Sequence, residues 1–144
     1  MITLNLSPAG RAIAVVGGAL ILAGLLQGLV VDWFPNPRMA LSAHLDAVQS
    51  GMAVMIAAAF WSFVRLSSAL ERAAWWTLAV GMVGLWIGIT LAAMTGASEA
   101  LPMAGSGFAA RPPMESAVTM IVGGSSFALL LGWALFLWGL VRGR

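Results

Sequence analysis

The sequence contains no cysteine, no tyrosine and no lysine, and only 8% of its 144 residues are charged. Without cysteine the chain has no disulfide, no thiolate metal ligand and no cysteine nucleophile. Because soluble domains carry roughly 25% charged residues, an ordinary soluble domain is excluded. The seven basic residues are all arginine and are scattered along the chain. They form no basic patch, so nucleic acid is not an expected partner.

Hydrophobic residues make up 61% of the chain, and they concentrate in four long stretches. A helix needs about 20 mostly apolar residues to cross about 30 Å of hydrocarbon. Four segments meet this length: residues 12–31, 41–64, 73–94 and 117–141. The first has no small-residue cleavage site after it, which favours a retained span over a signal peptide. The sequence therefore predicts one all-α membrane domain over residues 1–144, a bundle of four transmembrane helices in a lipid bilayer.

The connections between these spans differ in length. Residues 32–40 and 65–72 are short, which favours antiparallel neighbouring helices. Residues 95–116 form a long connection with three prolines, and such segments are typically either functional covers or disordered.

Arginine is distributed unequally between the two sides of the predicted bundle. One side has five arginines: Arg11, Arg65, Arg72, Arg142 and Arg144. The other side has Arg38 and Arg111. Because cytoplasmic loops of membrane proteins are enriched in basic residues, we expect both termini in the cytoplasm.

The second span contains polar residues that an apolar helix would normally exclude, namely His44, Asp46, Gln49 and Ser50. Ionisable groups inside a membrane cost about 2.5 kcal/mol or more unless they are paired, so each is a candidate functional residue. Helical spacing places Asp46 on one face with Gln49 and Ser50.

His44 shares its own stripe with Ala47, Val48, Gly51 and Met55. This smooth stripe of small residues would accept a flat apolar ring of a cofactor, with the imidazole near its centre. The alternative is a histidine in the membrane interface that contacts water.

Glu115 opens the fourth span, at the membrane level where the second span begins, so it can reach the zone of His44, Asp46 and Arg38. The carboxylates could form ion pairs with Arg38 or Arg111, or they could build a site. One histidine with two carboxylates at no diagnostic spacing is a weak indication of a bound metal ion.

Residues 36–52 read NPRMALSAHLDAVQSGM. This segment resembles the signature of bacterial hydroxylaminobenzene mutases, and residues 29–34 and Glu115 agree with the same pattern. A more distant likeness is to styrene oxide isomerase, in which a similar histidine is followed by Gly-Met, as His44 is here by Gly51 and Met52. Ser50 stands where the family has asparagine. Residues 83–86 read VGLW, without the tyrosine and asparagine expected in the third span.

The resemblance implies haem b as cofactor, with His44 as its axial ligand between the protomers of a homotrimer in the bacterial inner membrane. Arg38 or Arg111 would bind the haem propionates, since arginine pairs bidentately with carboxylates. Gly51 and Met55 would line the haem.

The implied activity is an isomerisation of a small aromatic substrate, in which haem iron acts as a Lewis acid and an arylhydroxylamine becomes an aminophenol. Asp46 is expected to move a proton, with Ser50 or Gln49 as hydrogen-bond partner and Glu115 as alternative donor. A buried Asp46 paired with Arg38 would instead be structural. Alternative functions are epoxide isomerisation like that of styrene oxide isomerase, a non-catalytic haem or electron carrier, and a structural or transport subunit without cofactor.

Overall fold

The computed structural model describes residues 6–142, and within this range it contains helices and no strand. The four long helices are α1 (Pro8–Gly28), α2 (Pro37–Phe60), α3 (Ser68–Thr95) and α4 (Pro112–Val141). Short 3₁₀ turns follow α1 at Val31–Trp33 and α2 at Trp61–Phe63. Each long helix has the length and hydropathy to cross a membrane. The predicted four-helix membrane fold is confirmed.

Each helix begins four or five residues before the apolar stretch that predicted it. In α1, α2 and α3 the cause is capping, because a polar side chain accepts one of the first free backbone N–H groups. Ser7 accepts from Gly10, and the Asn36 side chain accepts from Met39. Proline at the first helical position fixes a helical φ in α1, α2 and α4. Such signals lie outside the apolar stretches, so hydropathy alone does not include them.

The helices pack in sequence order, α1 on α2, α2 on α3 and α3 on α4, while α1 and α3 touch only sparsely. The short connections therefore join antiparallel neighbours, as predicted. We call the end where α1 and α3 begin the Arg11 end, and the end where α2 and α4 begin the His44 end.

Glycine allows a close contact between α1 and α2. A Cβ at Gly51 would lie 2.6 Å from the carbonyl oxygen of Gly17, and a Cβ at Gly24 would lie 2.9 Å from the Cβ of Ala47. Neither position could hold a larger residue without moving the backbones apart. In α3, a Cβ at Gly88 would lie 2.9 Å from Val122 of α4. These glycines thus serve packing within one chain.

Two buried clusters fill the bundle. One surrounds Trp61 and Ile13 near the Arg11 end. The other surrounds Met39, Ile89 and Val118 near the His44 end, below the long connection of residues 96–111. Hydrogen bonds from and to side chains of α2 and its N-cap and of α4 hold this connection over the His44 end of the bundle.

Candidate functional site

His44 lies in the second turn of α2 and points toward α1. Its Nδ1 atom is 2.7 Å from the carbonyl oxygen of Gly24. Because a carbonyl oxygen only accepts, Nδ1 must carry the hydrogen, and in the neutral ring Nε2 keeps its lone pair. A Cβ at Gly28 would lie 2.8 Å from Nδ1, so the glycine makes room for the ring. Two residues of α1 therefore set the tautomer and the position of the imidazole.

The Nε2 atom of His44 has no hydrogen-bond partner in the described part of the chain, and it is not a buried atom. On the side of α2 that carries His44, four apolar side chains are exposed: Leu41, Leu45, Met52 and Met55. The small residues Ala47 and Gly51, which the sequence suggested as a platform for a flat ring, are buried against α1 instead. The free nitrogen thus belongs to an outer, apolar face of the α1–α2 pair.

Asp46 and Ser50 lie together one turn apart, as the spacing predicts. The Ser50 hydroxyl donates to Oδ1 of Asp46 at 3.4 Å, whereas Oδ2 is buried without a partner among residues 6–142. Gln49 is exposed on the surface of α2 and does not join this pair. Residues two positions apart on a helix are about 200° apart around its axis. His44 and Asp46 therefore lie on opposite flanks of α2, and one chain does not bring them together.

Glu115 is only 5% exposed, and both of its carboxylate oxygens bind backbone N–H groups of the long connection. Oε2 accepts from Ser98 at 2.9 Å and from Glu99 at 3.0 Å. Oε1 accepts from Ala110 at 2.9 Å. The side chain thereby joins the two ends of the connection to the first turn of α4. Within residues 6–142 it forms no ion pair with Arg38 or Arg111, the alternative raised by the sequence.

Arg38 and Asn36 hold the middle of the same connection. The Arg38 guanidinium is exposed and donates to the carbonyl oxygen of Ser106. Asn36 is fully buried, and its Nδ2 donates to the carbonyl oxygen of Ala104 at 3.1 Å. Its backbone N–H donates to Ala93 at the end of α3, also at 3.1 Å. The NPR segment therefore supports the cover, with Asn36 as a structural residue that the sequence analysis did not single out.

No group of three or more His, Asp or Glu side chains is arranged to hold a metal ion in the part of the chain that the structure describes. The structure thus does not assemble the weakly indicated three-residue metal site of His44, Asp46 and Glu115. Its carboxylates bind Ser50 and the backbone instead.

A buried polar cluster that the sequence analysis missed joins α1 to α3. Gln27 is 6% exposed, and its Oε1 accepts from Nε1 of Trp86 at 2.7 Å. Its Nε2 lies 3.3 Å from the hydroxyl of Thr90. Gly24 and Gly28 position His44. Gln27 lies directly before Gly28 and about one helical turn after Gly24. The side-chain amide of Gln27 inside an apolar span could have indicated this cluster, because a polar group in lipid needs a hydrogen-bond partner.

Comparison with known proteins decides the family. The sequence profile of styrene oxide isomerase matches residues 9–141, nearly the whole chain. The chain belongs to the styrene oxide isomerase family. Hydroxylaminobenzene mutase HabA of Ectopseudomonas oleovorans is 33% identical over 127 residues, covering 88% of this chain and 94% of HabA. Hydroxylaminobenzene mutase HabB of the same organism is 31% identical over 135 residues, covering 93% of this chain and 82% of HabB.

These comparisons confirm the resemblance that residues 36–52 indicated. Both named groups are isomerases, and the present chain is accordingly a membrane isomerase of the styrene oxide isomerase family. No solved structure matches the chain.

Proposed function

We propose that this isomerase rearranges arylhydroxylamines of the hydroxylaminobenzene type to aminophenols. Support comes from the two mutases, which align with most of the chain. The apolar surroundings of His44 also suit a small aromatic substrate that partitions into the bilayer. The reaction moves an oxygen within one molecule, so it requires neither a second substrate nor net redox change.

We further propose haem b as the cofactor, with Nε2 of His44 as the iron ligand. The observation that carries this proposal is the 2.7 Å hydrogen bond from Nδ1 to the Gly24 carbonyl oxygen. A metal-bound histidine usually donates its other ring N–H to a carbonyl or carboxylate, which fixes the tautomer and increases its basicity. The half-exposed apolar side chains on this side of α2 would accept a flat macrocycle. Bound iron would supply a Lewis acid for the substrate oxygen.

The chain's own residues have separable tasks in this proposal. The Gly24 carbonyl orients the His44 ring, and the Gly28 position leaves space for it. Met55 lies on the same side of α2 as His44 and would border the macrocycle. Gly51 contributes indirectly, because it lets α1 approach α2 closely. Arg38 uses part of its guanidinium on Ser106 and retains further N–H donors for a propionate, with exposed Arg111 as the second candidate.

Asp46 is proposed to hold the proton that the rearrangement moves, since its Oδ2 is buried without a partner. Ser50 would hold the carboxyl group in place through Oδ1. Gln49 and Glu115 remain candidate donors, although Glu115 already accepts backbone hydrogen bonds on both oxygens.

We also propose a homotrimer, as the resemblance to styrene oxide isomerase implies. One chain leaves the His44 face apolar and open, and it directs Asp46 to the opposite flank of α2. We therefore propose that His44 of one copy and Asp46 of a neighbour complete each site. Mixing His44→Ala and Asp46→Asn chains tests this: shared sites predict that about a quarter of wild-type turnover returns on random mixing in a cyclic oligomer. Turnover that stays at the level of the single variants contradicts sharing.

Absorption spectra of detergent-purified protein, with turnover assays on hydroxylaminobenzene, test the proposed cofactor and reaction. We expect a Soret band in the wild type and none in His44→Ala. Exposed Gln49→Ala is the matched control on the same helix and should keep the band. A wild-type Soret band in His44→Ala would overturn the ligand assignment. Absence of turnover by haem-loaded wild-type protein would overturn the reaction.

Isomerisation of an epoxide is the second candidate reaction, because the matching family profile is that of styrene oxide isomerase. The two reactions are distinguished by assaying styrene oxide beside hydroxylaminobenzene on the same preparation. Faster turnover of the epoxide would favour this candidate.

We also propose that both termini are cytoplasmic and that the chain resides in the bacterial inner membrane. The support is that Arg11, Arg65, Arg72 and Arg142 all lie at the Arg11 end of the bundle. A reporter fused after Arg144 that is active only in the cytoplasm should be active; inactivity would reverse the orientation.

A further inference from the structure

A hollow of about 370 Å³ opens between α1 and α3 at the Arg11 end. Its lining residues are Ala9, Ala12, Ser68, Glu71, Arg72, Trp75 and Trp76. It is remote from the candidate active site, because Ala12 and Gly28 are separated by about 24 Å of helix at 1.5 Å per residue. The hollow therefore lies too far from His44 to take part in the proposed isomerisation.

Two tryptophan side chains, Trp75 and Trp76, form part of the wall of the hollow. Nε1 of Trp75 donates to the carbonyl oxygen of Ala9 at 3.2 Å, which joins α3 to the first turn of α1. Trp76 meets Trp75 edge to face, with 4.7 Å between ring centroids, and remains 60% exposed. Because tryptophan is enriched at the interface between hydrocarbon and headgroups, we expect this hollow to lie at that depth.

Two arginines and one glutamate give this hollow and its neighbour together a net positive charge. Arg72 is exposed there, and a neighbouring hollow of about 410 Å³ shares Ala12 and is lined by Arg11. The carboxylate of Glu71 is engaged by Nε1 of Trp61 at 3.0 Å. Neither guanidinium has a carboxylate partner among residues 6–142. The two arginines are thus available to an external anion.

We propose that this hollow binds the phosphate group of an anionic phospholipid. Arg72 and Arg11 would bind the phosphate oxygens, since guanidinium groups bind phosphate through paired hydrogen bonds. The upper part of an acyl chain would lie on Ala12 and Trp76. A cationic rim beside an apolar wall fits an amphiphile better than a free ion, because inorganic phosphate would leave the aromatic wall uncovered.

Native mass spectrometry of the full chain tests this proposal. Protein is released from micelles containing equal amounts of phosphatidylglycerol and phosphatidylcholine, and the retained lipid is counted. We expect wild-type protein to retain phosphatidylglycerol preferentially. Arg72→Gln should lower this preference about fivefold, the effect of one arginine near an anionic surface, and Arg11→Gln should lower it by less.

Charge-matched controls come from the same end of the bundle. Arg65→Gln and Arg142→Gln remove one positive charge each outside the hollow, and Arg142 lies over the ring of Trp138 at 4.4 Å. Both should retain the wild-type preference. An equal loss in the controls would mean a diffuse charge effect and overturn the site. Displacement of the lipid by millimolar inorganic phosphate would show that the phosphate ion alone is the ligand, which also contradicts the proposal.

Discussion

The two ends of the bundle are closed in different ways. At the His44 end, the connection of residues 96–111 is held by hydrogen bonds that Asn36 and Arg38 donate to backbone carbonyl oxygens and that Glu115 accepts from backbone N–H groups. At the Arg11 end, α2 joins α3 through a short segment, and aromatic packing closes the structure, with Trp61 5.7 Å from Phe136 between ring centroids. Irregular backbone near lipid needs internal hydrogen-bond partners, whereas a short connection needs few. Some polar residues near the candidate site, such as Asn36 and Glu115, therefore stabilise the connection, while His44 and Asp46 are candidates for the chemistry.

The largest loss of stability is expected from Trp61→Ala, at the end that aromatic packing closes. Trp61 is almost completely buried and also donates to Glu71. Replacing a buried aromatic residue by alanine costs about 3–5 kcal/mol. Thermal unfolding in detergent should show this loss, while amide exchange in residues 96–111 of the folded protein should not change. Faster exchange there would show that the two ends are not independent.

A smaller loss is expected from Asn36→Ala at the opposite end. This change removes the acceptor for Met39 and the donor to Ala104, both in a buried position. An unsatisfied buried group costs about 1–3 kcal/mol. The thermal midpoint should fall, and amide exchange should accelerate in residues 96–111. Unchanged exchange in this connection would contradict the role given to Asn36.

Glu115→Gln distinguishes a structural carboxylate from a catalytic acid. Glutamine keeps the shape and one acceptor oxygen, so the protein should fold with a lower thermal midpoint. Amides of Ser98, Glu99 and Ala110 should exchange faster, because each binds the carboxylate. A catalytic acid would give a different pattern, namely loss of turnover with unchanged amide exchange.

The smallest effect is expected from Gln27→Leu, which lies between the two ends. Interhelical hydrogen bonds in membranes average only about 0.6 kcal/mol. A double-mutant cycle with Trp86→Phe is complicated by ring size, so Thr90→Val is the better partner. A coupling energy near zero would show that the contact with Thr90 does not stabilise the link between α1 and α3.

The sequence predicted the number and order of the helices and the antiparallel packing of neighbours, because long apolar stretches leave few other structures in lipid. It also singled out His44, whose ionisable ring in a span needs an explanation. The direction of neighbouring residues was harder to predict. Ala47 and Gly51 pack on α1 because Gly17 and Gly24 lie opposite them, a contact that no spacing within α2 reveals.

The structural role of Glu115 depends on backbone partners that no sequence pattern indicates. Its hydrogen-bond donors lie in the connection 96–111, whose path has no periodic pattern. Gln27 was missed for a related reason, since its partners Trp86 and Thr90 belong to a helix that is distant in sequence. The features that the sequence alone did not predict are therefore mostly contacts between residues of different helices and connections.

Rescue by an external ligand tests whether Nε2 of His44 binds haem iron. His44→Gly protein is purified with haem, and its absorption spectrum is recorded with and without imidazole. Gln49→Gly serves as the matched control for glycine in α2. We expect His44→Gly to lack the Soret band of the wild type and imidazole to restore it, while the control keeps the band throughout. A wild-type Soret band in His44→Gly without imidazole would contradict the claim.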